Sequence, residues 1–329
     1  MSINSVIHDM ADRKNMAQQY EQEHSENPRH PLPRSFRILQ GTLRIVPPAL
    51  LEALIGGTAR LACRLDRRRT RIARVNLDLA FGESKTPEEK QAIILASYRN
   101  LIRVGLETIL LQGITRDKLL KMVEFENGEI LEEALRSGRP VIFVTAHYGN
   151  WELGTLAIAA RYTPISVVGR PLDWDWANRI LVATREQFGV RMIPKRKAMK
   201  EMIGVMKSKG ALGLVVDQNT KSSQGILVDF FGKKARHTPS AALLARKFDA
   251  VVIPVYDRPL GNGRYRVTFH PPLTMEKSDD LDRDILHHVQ KQADITERVI
   301  REHPEHWLWL HQRWKNQYEE LYRSGSRES

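Results

Sequence analysis

Three short apolar runs, at 140–145 (PVIFVT), 212–216 (LGLVV) and 251–255 (VVIPV), constrain this chain more than any other feature. Runs so short, rich in β-branched residues and without polar alternation, suit strands buried on both faces, which need helices above and below them. The sequence between them supplies those helices. Helical periodicity covers 87–112, 127–136, 150–160, 174–188, 198–207 and 240–248, and 165–168 reads as a further extended segment. Alternation of this kind predicts an α/β fold, a layered mixed sheet flanked by helices, with its site at the strand ends.

The remaining composition narrows the function classes. A chain of 329 residues, 42% hydrophobic and 27% charged, can bury a substantial core and excludes fibrous or wholly disordered readings. The one cysteine, Cys63, allows neither an internal disulfide nor a cysteine-rich zinc site, which suits a reducing compartment. Lys and Arg number 51 against 39 Asp and Glu, and the resulting +12 calls for a polyanionic partner: nucleic acid, an anionic membrane or a phosphorylated substrate.

Residues 1–30 are polar and lack the apolar core of a signal peptide, so the chain is expected to stay on the cytoplasmic side. No window offers the roughly 20 uncharged apolar residues of a spanning helix. Within 31–75, however, Leu50, Leu51, Leu54, Ile55, Leu61, Ala62 and Leu65 recur at helical spacing beside Arg60, Arg64, Arg67, Arg68, Arg69, Arg71 and Arg74. That pattern fits an amphipathic helical segment lying in an anionic interface, and it also fits a core-facing helix with a solvated, Arg-rich end. The organisation expected is a polar segment at 1–30, a basic membrane-associating segment at 31–75 and a catalytic domain at 76–329.

The chemistry concentrates where the first apolar run ends. In the stretch 144–152 (VTAHYGNWE), a strand delivers His147 to a glycine-containing turn, and Glu152 falls in the first turn of the next helix. A histidine oriented by a carboxylate is the pair needed to deprotonate a hydroxyl. The spacing alone is weak evidence, because 11 histidines and 39 acids in 329 residues give about one such match by chance. A histidine packed at a strand end, with Glu152 complementing a helix N-terminus, fits it equally.

The stretch from His147 to Glu152 resembles the His-x4-Asp/Glu signature of the lysophospholipid acyltransferase superfamily, and the chain beyond Glu152 resembles the bacterial lipid A biosynthesis acyltransferases of the lauroyl and myristoyl type. Ordered blocks agree: 168–171 (VGRP), 214–218 (LVVDQ), 228–232 (VDFFG) followed by 241–254, and the terminal 303–315 (HPEHWLWLHQRWK). The turn residues Gly149, Asn150 and Trp151 also resemble the mycobacterial phosphatidylinositol mannoside acyltransferases.

The resemblance implies a glycerolipid acyltransferase-like fold. It implies transfer of a fatty acyl chain from an acyl carrier protein or coenzyme A thioester to a hydroxyl of a membrane glycolipid, a lipid A precursor first and a phosphatidylinositol mannoside or lysophospholipid as alternatives. It makes His147 the base and Glu152 its partner. Arg170 would bind phosphate or the thioester oxyanion, Asp217 would position Arg170 or the acceptor, and Asn150 joins them in substrate binding. No bound cofactor or metal is expected. The protein would sit peripherally or monotopically on the cytoplasmic face of the inner membrane, with acyl carrier protein, a glycolipid and an anionic lipid surface as its partners.

The basic clusters at 195–197 and 233–236 could meet lipid phosphates or a carrier protein. Trp307, Trp309 and Trp314 fit either a membrane interface or the core. Two readings from other classes stand beside this one: a basic nucleic-acid-binding protein, for which no zinc-finger spacing or RNP block is present, and a catalytically silent lipid-binding scaffold.

Overall fold

The computed structural model describes residues 34–195 and 198–323. The polar segment 1–30 and two members of the 195–197 basic cluster, Arg196 and Lys197, lie outside the described residues.

The chain opens with helices α1 (Arg34–Ile45), α2 (Pro48–Leu65), α3 (Arg67–Phe81) and α4 (Pro87–Leu111). The α/β part follows as α5 (Arg116–Lys121), β1 (Val123–Glu126), α6 (Gly128–Arg136), β2 (Val141–Thr145), α7 (Trp151–Arg161), β3 (Ile165–Gly169), α8 (Asp175–Glu186), β4 (Val190–Pro194), α9 (Ala198–Lys207) and β5 (Ala211–Val215). It continues through a hairpin, β6 (Ile226–Phe230) and β7 (Lys233–His237), then α10 (Ser240–Phe248), β8 (Val251–Gly261), β9 (Arg264–Phe269), α11 (Leu281–Glu302) and α12 (Glu319–Arg323).

One seven-stranded sheet, in the order β1-β9-β8-β2-β5-β3-β4, forms the centre. Strands β8, β2, β5, β3 and β4 run parallel, while β9 returns antiparallel to β8 and carries β1 parallel to itself. The sheet is therefore mixed, and the expected α/β architecture is what the chain adopts. Its three apolar runs are neighbours at the middle, β8-β2-β5, where Ile142, Val144, Leu212, Val252 and Ile253 are buried against helices on both faces. Because these strands are parallel, the segments leaving their carboxyl ends gather at one edge, and that edge holds the loops after β2, β3, β4 and β5.

The first two helices meet at a 114° bend, broken at Pro47 and Pro48, and among the described residues no single helix is long and apolar enough to cross a membrane. Helix α2 has two apolar faces. Ile55, Gly56 and Ala59 are buried against α4, whereas Leu50, Leu54, Leu61 and Leu65, spaced to share one side of the helix, are exposed together with Ile38, Leu39 and Ile45 of α1. The boundary drawn at 75/76 falls inside α3, whose Ile72, Ala73 and Leu77 join the same cluster as Ile94 and Tyr98 of α4. The amphipathic segment is thus packed onto the catalytic part along one face.

Trp307, Trp309 and Trp314 are buried, each at 2% exposure or less. They pack mostly edge to face with one another and with Phe230 and Phe231, so the terminal block closes the core beneath the hairpin. The exposed tryptophans are Trp174 and Trp176, stacked with 6.3 Å between ring centroids, at the carboxyl edge of the sheet just after β3.

Candidate active site at the sheet edge

Strand β2 pairs with β5 in a register that sets Thr145 beside Val215. Two residues beyond each partner, His147 and Asp217 stand level on adjacent strand ends, and their side chains meet. His147 Nδ1 lies 2.9 Å from Asp217 Oδ1, and the His147 backbone N–H donates to Oδ2 at 3.0 Å. Trp307 Nε1–H completes the set, donating to the same Oδ2 at 2.8 Å.

Burial opposes charge on both groups, and their mutual attraction prevails. The Asp217 carboxyl is held well below the usual carboxylate range by the imidazolium, its hydrogen bond, and the Trp307 and backbone donors. The His147 imidazole, desolvated but beside Asp217 and within the field of Glu152, is raised above its ordinary value. An ionised Asp217 accepts from Nδ1–H, which leaves Nε2 as the basic nitrogen. That nitrogen faces Gln218, whose Nε2 lies 3.4 Å away.

The turn between β2 and α7 is built for this geometry. Gly149 has φ +61°, and a Cβ there would stand 2.0 Å from the Asp257 carbonyl oxygen, so only glycine fits. Asn150 caps α7, its Oδ1 accepting from Leu153 N–H. The terminal block pins the turn from outside: Gly149 N–H donates to His306 O, and Leu308 N–H donates to His147 O.

Glu152 takes a different position from the one expected of it. Its carboxylate receives a bidentate pair from Arg185 of α8, with Nη2 to Oε1 at 2.6 Å and Nε to Oε2 at 2.8 Å, and Trp151 Nε1–H also donates to it. The residue hydrogen-bonded to the imidazole is Asp217, because strand register, not position in the next helix, decides which acid lies level with His147. Glu152 acts on the ring only through its field. Alanine at 152 should destabilise the fold by about 3–5 kcal/mol, since it strands the Arg185 guanidinium in a largely buried site. Glutamine should cost less. Denaturant unfolding checks this; unchanged stability with lost transfer would instead place Glu152 in the chemistry.

Arg170 and Asp217 are not brought together. Arg170 is exposed after β3 and pairs with Asp173 at 2.9 Å, while Asp217 is committed to His147 and Trp307. Asn150 is buried, with its side-chain amide donating to Glu107, so it holds the turn and does not face an open site. The 233–236 cluster is dispersed by its hairpin: Lys234 pairs with Asp229, and Arg236 donates to Gly225 O.

A small apolar cavity of about 40 Å³ lies between α7 and the sheet. Its walls include Thr145, Trp151, Ile158, Ile165, Val167 and Val215. One group among the described residues has donor atoms close enough for a metal ion, His303, Glu305 and His306 on the terminal block, within 4.8 Å of one another.

The profile of the bacterial lipid A biosynthesis acyltransferases matches residues 35–316, which take in α1, the whole sheet and the terminal block. The chain belongs to that family. It is an O-acyltransferase of the lipid A and lysophospholipid type, acting on glycolipids. Among the relatives of this lipid A acyltransferase family member is a phosphatidylinositol mannoside acyltransferase of Mycolicibacterium smegmatis, 25% identical over 279 residues, 83% of this chain and 88% of that protein. A lipid A biosynthesis acyltransferase of Haemophilus influenzae is 25% identical over 292 residues, 85% of this chain and 87% of its own. The solved 1-acyl-sn-glycerophosphate acyltransferase of Thermotoga maritima aligns over 79% of this chain and 98% of its own at 14% identity, with a TM-score of 0.35.

Several residues of the site gave little signal in the sequence. Arg185 is one of two arginines on an amphipathic helix. Trp307 drew attention as an aromatic, not as a donor to a carboxylate. Glu107 was detectable as a lone acid in the mostly apolar stretch 104–111 (VGLETILL).

Proposed function

We propose that this acyltransferase moves a fatty acyl chain from an acyl carrier protein or coenzyme A thioester to a hydroxyl of a membrane glycolipid, a lipid A precursor in the first instance. The observation that carries this reading is the His147–Asp217 pair, 2.9 Å apart at the carboxyl edge of the sheet. His147 Nε2 takes the acceptor's hydroxyl proton as that oxygen attacks the thioester carbon. The C–S bond then breaks, and the departing thiolate takes the proton back from Nε2. Asp217 holds the ring in the required tautomer and stabilises the imidazolium between those two transfers. Incubating the purified protein with acyl thioesters and candidate glycolipids tests this: a product heavier by one acyl group is expected, and unaltered acceptors with every donor would contradict it.

The same reading places the protein on the cytoplasmic face of the inner membrane. Support comes from the exposed leucines of α2 beside Arg60 and Arg64, since an apolar stripe flanked by cations suits an anionic interface. Replacing Leu50, Leu54, Leu61 and Leu65 together by Gln is expected to weaken binding to anionic vesicles at least tenfold, as measured by co-sedimentation. Those side chains are exposed and belong to none of the buried clusters, so the fold should survive. Equal binding of the variant would remove α2 from the interface.

A further inference from the structure

The terminal block turns sharply before it reaches the core. Helix α11 ends at Glu302, and Pro304–His306 forms a single 3₁₀ turn. In such a helix three residues make one turn, so side chains three apart eclipse. His303 and His306 accordingly share one side, with their ring centroids 5.8 Å apart. Glu305 places its carboxylate between them, Oε1 lying 3.3 Å from His303 Nδ1 and 3.6 Å from His306 Nε2.

Ion pairing and hydrogen bonding account poorly for this convergence. At 3.6 Å the second contact is too long for a hydrogen bond. Burial holds His306 down to about 4, so at neutral pH its imidazole is uncharged and keeps one unprotonated nitrogen. No Lys or Arg among the described residues lies within ion-pair distance of Glu305, whose charge therefore meets only the two imidazoles.

Two imidazole nitrogens and a carboxylate oxygen are a donor set for zinc and similar divalent ions, and here all three lie within 4.8 Å of one another. A tetrahedral zinc with bonds of about 2.0–2.1 Å separates neighbouring ligand atoms by roughly 3.3–3.4 Å, close to the spacings about Glu305. The nitrogen donors disfavour calcium and magnesium, which take oxygen. His303 and Glu305 are half-exposed, so water can reach a fourth position. We propose that His303 Nδ1, the Glu305 carboxylate and His306 Nε2 bind one zinc-class divalent ion, which braces the catalytic turn. His306 O accepts from Gly149 N–H at 3.0 Å and from Asn100 Nδ2 at 3.3 Å, and the next residue, Trp307, donates to Asp217. An ion tying His306 to His303, at the end of α11, restrains the residue on which the turn is anchored.

The test titrates tag-free protein, stripped with a chelator and dialysed, with Zn²⁺ and with Co²⁺. One ion per chain is expected, with the visible spectrum of four-coordinate Co²⁺. His303→Ala and Glu305→Gln change half-exposed side chains and should keep the fold, each lowering affinity by at least about tenfold, the least that loss of a supporting partner costs a metal site. Amide hydrogen exchange at Gly149 should slow when Zn²⁺ binds the wild type and should not respond to Zn²⁺ in the double variant. No uptake by the wild type, or equal uptake by the double variant, would overturn the site. Uptake by the wild type that leaves Gly149 exchange unaltered would overturn the bracing role. Should the variants fail to fold, a six-coordinate Co²⁺ spectrum from the wild type would overturn the site by itself.

Discussion

Alanine at position 147 is expected to slow acyl transfer by about 10²- to 10⁴-fold, the contribution of a positioned general base. The fold should be retained, because the contacts that hold the turn do not use the imidazole. Gly149 and Leu308 bond through backbone atoms, and Asn150 through its cap and Glu107. The loss should fall on kcat, and thermal unfolding should drop moderately as well, because the buried Asp217 loses its imidazole partner while keeping the Trp307 and backbone donors. Parallel measurement of transfer rate and unfolding checks this. A His147→Ala variant that folds and transfers at the wild-type rate would remove the base from the mechanism.

Asparagine at position 217 should be nearly as damaging, for a reason set by the three partners of Asp217. His147 N–H and Trp307 Nε1–H both donate to Oδ2, so the amide oxygen of the substituted side chain would take that place and its NH₂ would face the imidazole. Nδ1 must then accept, the ring proton moves to Nε2, and the nitrogen meant to take a proton already holds one. A loss of about 10²-fold or more at neutral pH is expected.

The pH dependence has a definite sign. In the wild type, Asp217 raises the His147 pKa, so activity should fall as pH drops through a value above the ordinary imidazole range. In the variant, burial acts without the neighbouring charge, and any residual acid limb should move to lower pH. An Asp217→Asn enzyme within a few-fold of wild type, with an unmoved acid limb, would return Asp217 to a structural role.

Much of the architecture was legible because buried parallel strands leave an unmistakable trace. The runs at 140–145, 212–216 and 251–255 became β2, β5 and β8, side by side at the centre of the sheet. Other strands were harder to read. In β6–β7 the turn residues are Phe231 and Gly232, both at positive φ, and a phenylalanine in the left-handed region hides what an Asn-Gly pair would have announced. The hairpin joining β8 to β9 did carry such a signal in Gly261-Asn262-Gly263, followed by the alternating 264–269 (RYRVTF).

The site was legible in its members more than in their pairing. His147, Glu152 and Asp217 could all be named from the sequence, yet which acid reaches the imidazole depends on the Thr145–Val215 register between strands about 70 residues apart. No local spacing encodes that register. Arg170 was tied to Asp217 only through the resemblance, whereas its side chain stands exposed after β3 and pairs with Asp173. The terminal tryptophans went to the core because β6, β7 and α11 offered an aromatic cleft for them, leaving Trp174 and Trp176 as the exposed pair.

Direct transfer from thioester to glycolipid, with His147 as base and no acylated protein on the way, is tested most directly by intact-protein mass spectrometry during a single turnover. The enzyme is mixed with stoichiometric acyl thioester and glycolipid acceptor and quenched at intervals. The expected result is a protein of unchanged mass at every time, while the glycolipid gains one acyl group. A protein heavier by one acyl group, formed before the product and passing its chain to the acceptor, would contradict the account.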